Sequence, residues 1–196
     1  MLSKIDDISL AIYGFITQEQ AAKLKIIEQH YDSLKLCKTN PENVIYELAE
    51  PYEHETALLQ TIPKISSKLT PIRIISEVSD DVSVFPTSKH LCSWAGLTPQ
   101  NNYSAGKKKS VRISKAGCYI KPLLVQCGLA ALNAKDNPEI CNRYKNLKMR
   151  RGHKKAIIAI ARMLTTVIYH LLQDKVCYDK ELYSRYNQLP TSKKIG

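Results

Sequence analysis

From Thr17 to about Cys37 the segment TQEQAAKLKIIEQHYDSLKLC sets Leu24, Ile27, Tyr31 and Leu34 at spacings of three and four. That is the period of one helical face. Thr17, with Gln20 three residues on, has the form of a capping box and predicts where the helix starts. KTNPEN then breaks the pattern, Asn40 reading as a cap and Pro41 as the first residue of a second helix that carries Val44, Ile45 and Leu48. Pro51 predicts a kink or restart, because proline removes a backbone donor and crowds the preceding turn. Residues 57–80, ALLQTIPKISSKLTPIRIISEVSD, read as a helix ending near Ile62, a tight PKIS turn, and a helix capped by Ser66 or Ser67 with Ile72, Ile75 and Val78 on one face. Two short helices around a proline turn form a helix-hairpin-helix pattern, whose use is to aim free backbone N–H groups at a phosphate. The usual turn carries glycines for close approach; here Lys64 and Ser66 stand in those places, and Lys64 offers a charge instead.

Thr87 or Ser88 starts a short helix that Gly96 ends in the C′ role. His90, Leu91 and Trp94 share its face, which reads Trp94 as core, the alternative being a stacking platform. After GLTPQNN comes a polar, basic loop, 101–119, in which SVRIS alternates as a hairpin strand would. KPLLVQCGLAALNA, opening at Pro122, is apolar nearly all round and predicts a buried central helix. PEICNRYKNLKMRRG predicts a basic helix with Ile140, Tyr144 and Leu147 inward. KKAIIAIARMLTTVIYHLLQD repeats Ile157, Ile160, Ala161, Leu164, Ile168 and Leu171 at helical spacing. The fold class is therefore all-α: a helical arm (1–56), a helical domain (57–183) with the hairpin motif at 57–80 and one short β-hairpin near the 101–119 loop, and a polar tail (184–196).

Composition changes this picture in two ways. The 196 residues, 44% hydrophobic, suffice for a real core and exclude general disorder. The net charge of +11 is unevenly spread: residues 104–155 hold fourteen Lys/Arg against two Asp/Glu, whereas residues 1–60 hold five against ten. Such concentration is the footprint of a polyanion binder, the bland alternative being a solubilising surface. Six scattered cysteines without C-x-x-C or Cys/His pairing point to free thiols in a reducing cytoplasm rather than to zinc or disulfides. No unbroken apolar run nears a membrane span, and the N-terminus has no cleavable-leader pattern.

The candidate chemistry lies in NNYSAGKKKSVRISKAGCY. Two hydroxyls, Tyr103 and Ser104, precede an Ala-Gly turn and then Lys107, Lys108, Lys109 and Arg112, with Lys115 close behind. Serine is a poor nucleophile unless something takes its proton and something neutralises the charge that develops on the attacked phosphate. The cations suit the second task. His153, in RRGHKK, is the nearest candidate base in character and otherwise a phosphate contact. Lys64, Arg150, Arg151 and Lys154 complete the expected nucleic-acid contacts.

Four ordered pieces carry a family resemblance: LLQTIPKISS, FPTSKHLCSWAGLTP, YSAGKKKSVRISKAGCYIKPLL and RRGHKKAIIAIARMLTTVIYHLL. From Leu58 to about Tyr183 the chain resembles the C-terminal domain of the insertion-sequence 110/116/902 family of transposases. The resemblance implies a DNA recombinase whose ribonuclease-H-like N-terminal domain binds magnesium, whose C-terminal domain brings a serine nucleophile, and whose characterised branch uses a guide RNA. The family's serine falls on Ser104; its usual second glycine is Lys107 here. No metal site or cofactor is expected within this chain, magnesium entering only with a metal-binding partner domain. DNA, a guide RNA, and a second copy or that partner domain are the expected partners. The alternative reading is a truncated, non-catalytic nucleic-acid-binding remnant; a third is a helical interaction protein working through its acidic arm.

Overall fold

A computed structural model describes residues 2–14, 16–99, 102–104, 107–110, 112–133 and 138–179. The proposed polar tail, 184–196, lies outside the described residues. The chain divides into two compact units, Met1–Glu50 and Pro51–Gly196.

The first unit holds α1 (Leu2–Ile12) and α2 (Gln18–Ala49). Thr17 caps α2 as expected: its hydroxyl accepts from the Gln20 amide at 3.2 Å, and the Gln20 side chain accepts from the Thr17 amide at 3.0 Å. The break expected at KTNPEN is absent. α2 runs through Pro41 as one 32-residue helix, none of whose residues is buried. Proline costs the helix one hydrogen bond, to the carbonyl of Cys37, and Cys37 is an exposed residue on a helix that water surrounds. The restart expected near Pro51 is present, as a 3₁₀ turn at Glu50–Tyr52 before α3.

The second unit is built around its last helix. α3 (Glu53–Gln60), α4 (Leu69–Val78), α5 (Ser88–Trp94), α6 (Ile120–Ala131) and α7 (Pro138–Arg151) lead to α8 (His153–Asp174). α8 packs against α3, α5, α6 and α7, while α6 also meets α4. The central helix is thus α8, and α6, expected at the centre, lies along it. Ile157, Ile160, Leu164, Ile168 and Leu171 of α8 are buried with Leu123, Leu124 and Cys127 of α6. Each large aliphatic side chain so buried contributes about 1.5–3 kcal/mol. The buried hydroxyls of α8 are satisfied: Thr165 donates to the Ala161 carbonyl and Tyr169 to the Phe85 carbonyl, each at 2.9 Å. By length and composition α8 would also suit a bilayer, yet 67% of its most apolar window is buried by the rest of the protein. It is a core helix.

Within α4 the buried face is Pro71, Ile74, Ile75 and Val78, so Ile74 takes the place expected for Ile72. Trp94 also departs from the expected core position. α5 buries Leu91 and Cys92, followed by Ala95, and this face leaves Trp94 at its edge, 41% exposed and tilted against Phe85 with ring centroids 5.5 Å apart. The end of α8 is tied to α3: Lys175 donates to Glu55 at 2.8 Å, and the Tyr178 amide donates to the Thr61 hydroxyl at 2.8 Å.

Candidate nucleophile hairpin and nucleic-acid interface

The loop that carries Ser104 folds as an antiparallel ribbon, β1 (Asn102–Ser104) against β2 (Lys107–Ser110). Its register pairs Ser104 with Lys107, Tyr103 with Lys108 and Asn102 with Ser110, with an irregularity between Asn102 and Tyr103. Ser104 is therefore the last paired residue of β1, and the register sets Tyr103 and Ser104 against different lysine positions. The expected β-hairpin is present, but its ladder lies mostly ahead of SVRIS. Of that stretch Ser110 belongs to β2, and Ile113 bridges Pro99 at the foot of the ribbon.

The foot is held by two glycines. Gly96, at φ +67°, closes α5: its amide donates to the Ser93 carbonyl and the Leu97 amide to the Cys92 carbonyl, which satisfies the free carbonyls of the helix end. Gly117 has φ +66°, and a β-carbon there would lie 3.0 Å from the Ala95 α-carbon and overlap its carbonyl oxygen. A β-carbon on Gly96 would in turn meet the Ala116 carbonyl and lie 2.7 Å from Lys121 Cε. The two chain segments that frame the ribbon therefore cross in backbone contact. Lys121 donates to the Ser114 carbonyl at 2.6 Å, drawing the start of α6 onto the same crossing. Arg112 and Lys115, both exposed, lie between β2 and this crossing.

A second group of expected residues meets at the bend between α7 and α8. Arg150 and Arg151 end α7, Gly152 turns the chain at φ +79°, and His153 and Lys154 begin α8; all are exposed. The Tyr144 hydroxyl and His153 Nδ1 share a hydrogen bond of 2.7 Å, and the Lys148 ammonium stands 5.9 Å from the Tyr144 ring centre. One ring nitrogen of His153 is thereby committed to a residue of α7. Sequence periodicity assigns Tyr144 to the inward face and gives no sign of this partner; the clue, in hindsight, is a hydroxyl one short bend away from an imidazole.

Lys64 occupies a third place, the turn between α3 and α4. The Ile65 amide donates to the Ile62 carbonyl at 3.0 Å, with Pro63 and Lys64 between them. Lys64 has φ +67° and is exposed. Proline followed by a residue of positive φ is the pattern of a type II turn, which favours glycine at the second position. The lysine has kept the glycine conformation.

Other reactive groups are committed to structure. Burial pushes the Cys92 thiol up and the Cys127 thiol up to about 11, so neither is a thiolate near neutral pH. All six cysteines are free. The Asp81 carboxylate accepts from the Ser83 amide and hydroxyl at 2.8 Å each, and these bonds hold its pKa below the usual value. Among the described residues no three His, Cys, Asp or Glu side chains converge as a metal-ligand set.

Comparison with known proteins is consistent with the order of these pieces. Residues 56–145 match the family model described as Transposase IS116/IS110/IS902 family. The chain is 29% identical, over 139 residues, to the pilin gene-inverting protein of Moraxella bovis and, to the same extent, to that of Moraxella lacunata. Each alignment covers 66% of this chain and 40% of the relative, so the chain spans well under half the length of these curated relatives.

Proposed function

We propose, from the match of residues 56–145 to the Transposase IS116/IS110/IS902 family model, that this chain is the DNA-binding, serine-bearing part of a strand-transfer enzyme of that family. The observation that carries the proposal is the ribbon register, which sets Ser104 opposite Lys107 as the last pair of the β1–β2 ladder, within the most basic quarter of the chain. In this reading Ser104 Oγ attacks the phosphorus of a DNA phosphodiester. One P–O bond to deoxyribose breaks, the freed oxygen leaves as a hydroxyl, and a serine phosphodiester forms. The hydroxyl of a second strand then attacks that ester and regenerates the serine, so one phosphodiester is exchanged for another without ATP. Lys107, Lys108, Lys109 and Arg112 offset the charge that builds on the phosphate oxygens. The proton acceptor and magnesium come from a partner domain.

The turn between α3 and α4 acts, in the same reading, as a helix-hairpin-helix contact to a phosphate, with Lys64 adding its charge to the backbone amides. Arg150, Arg151, His153, Lys154 and Lys115 extend the contact along the nucleic acid, which includes a guide RNA in this scheme. Salt dependence tests the binding half directly. Affinity for duplex DNA should fall roughly 10³-fold or more between about 50 and 200 mM salt if six or more phosphates are neutralised. Replacing Lys107, Lys108 and Lys109 together by Gln should weaken binding to every sequence alike. Retention that is equal at both salt concentrations would remove the basis of the proposal.

A further inference from the structure

Trp94 is not packed into the core. A tryptophan carries a large apolar surface, yet this one remains 41% exposed at the end of α5, only partly backed by Phe85. Tyr119, at the start of α6, is 73% exposed. Single exposed apolar residues are ordinary and explain nothing. These two, however, flank one backbone crossing: Trp94 adjoins Ala95, Tyr119 lies two residues beyond Gly117, and Ala95 and Gly117 touch. That crossing is the foot of the Ser104 ribbon. The exposed cations Arg112 and Lys115 lie on the segment that leads from the ribbon into it.

We propose that Trp94, with Tyr119 beside it, is a stacking platform for unpaired bases of the DNA strand attacked at the ribbon. The inference rests on the strand-transfer reading above and adds the state of the substrate to it. An aromatic side chain stacks on the face of a base, and duplex DNA hides those faces except at ends and gaps. Strand exchange must unpair bases next to the attacked phosphate, which exposes them where the two rings stand. Cations tracking the backbone beside aromatic rings taking the bases is the general physical arrangement for holding a single strand. The charge of the neighbouring segment favours a nucleic-acid occupant over an apolar protein surface.

Trp94 is the only tryptophan in the chain, so its emission, excited beyond tyrosine absorption, reports on this site alone. The full chain is titrated with single-stranded oligothymidylate, with a duplex of equal length and with oligouridylate, while anisotropy of labelled oligonucleotides reads binding separately. Oligothymidylate should quench the emission strongly and the duplex weakly. Trp94→Ala should weaken oligothymidylate binding about tenfold with duplex affinity changed less than about twofold; Trp94→Phe should keep most of it. Tyr119→Ala should show a smaller loss of the same kind, and it keeps the test open if Trp94→Ala fails to fold. Salt-sensitive binding with unchanged Trp94 emission would overturn the platform and leave the strand-transfer reading standing. No binding to any of the three would remove the reading itself. Stronger quenching by oligouridylate would overturn the assignment to DNA, and equal loss of duplex and single-strand affinity in Trp94→Ala would make its role structural.

Discussion

Gly117 rests on Ala95 so closely that the position has no room for a side chain, and its φ of +66° is strained for any residue that has one. The contact fixes the foot of the Ser104 ribbon to the end of α5. Gly117→Ala should therefore cost about 2–5 kcal/mol, from backbone strain and overlap together. Gly152→Ala is the control, because Gly152 has φ +79° but nothing within 4 Å of its added β-carbon. It should cost only about 0.5–1 kcal/mol, the strain at positive φ less the freedom that glycine has in the unfolded chain. Urea unfolding of the two variants reads the difference, and equal losses would mean that the crossing does not hold the ribbon.

Lys64 trades stability for charge. A lysine at φ +67° bears about 1–2 kcal/mol of strain that glycine would not. Glycine gives back part of this through greater freedom in the unfolded chain, about 0.5–1 kcal/mol. Lys64→Gly should thus raise stability by about 0.5–1 kcal/mol and lower the slope of log affinity against log salt by about 1. A variant that is more stable but binds DNA with an unchanged slope would show that Lys64 contacts no phosphate.

The tie between α8 and α3 should depend on pH. The Lys175 hydrogen bond, chiefly, holds the Glu55 pKa below its ordinary 4.5, while partial burial opposes it. A carboxylate whose folded pKa is lowered contributes stability that is present above the unfolded value and lost as pH falls through the folded one. Wild type should exceed Glu55→Gln by under about 1 kcal/mol at neutral pH. That margin should shrink below pH 4.5. Thermal unfolding across pH checks it; a margin constant down to the acid limit would contradict the pairing.

How much of this was legible follows the range of the interactions. The Thr17–Gln20 cap, the Gly96 stop and the face of α8 depend on neighbours within one or two turns, and local spacing displays them. The continuation of α2 through Pro41 is not local in that sense. It depends on whether the freed Cys37 carbonyl meets water, and an exposed helix allows this where a buried one would not. The place of Trp94 is not legible in this way, because a helix of seven residues defines its face poorly and the buried trio of Leu91, Cys92 and Ala95 shifts that face away from it. The candidate site divides in the same way. The motif order located Ser104 and its lysines, whereas the glycine crossing and the Tyr144–His153 pair join residues across turns whose geometry no spacing reveals.

The unbroken α2 lets its apolar positions be read as one seam. Leu24, Ile27, Tyr31, Leu34, Ile45 and Leu48 follow a single heptad register interrupted only at Lys38 and Pro41, and all are at least 37% exposed. The seam should pair with a second copy or with the partner domain. Sedimentation of the full chain should give a mass above the monomer, and Ile27→Lys with Leu34→Lys should restore the monomer. A monomer in both cases would leave only the partner domain as its occupant.

The central claim concerns the hydroxyl of Ser104. The chain is incubated with its cognate DNA ends, magnesium and a complementing metal-binding domain, then denatured, digested and mapped by mass spectrometry. The account predicts a nucleotide attached to the peptide containing Ser104, absent from Ser104→Ala although that variant still binds DNA, and largely retained in Tyr103→Phe. The chain without the complementing domain should give little adduct. An adduct that persists in Ser104→Ala and vanishes in Tyr103→Phe would contradict the account and make Tyr103 the nucleophile.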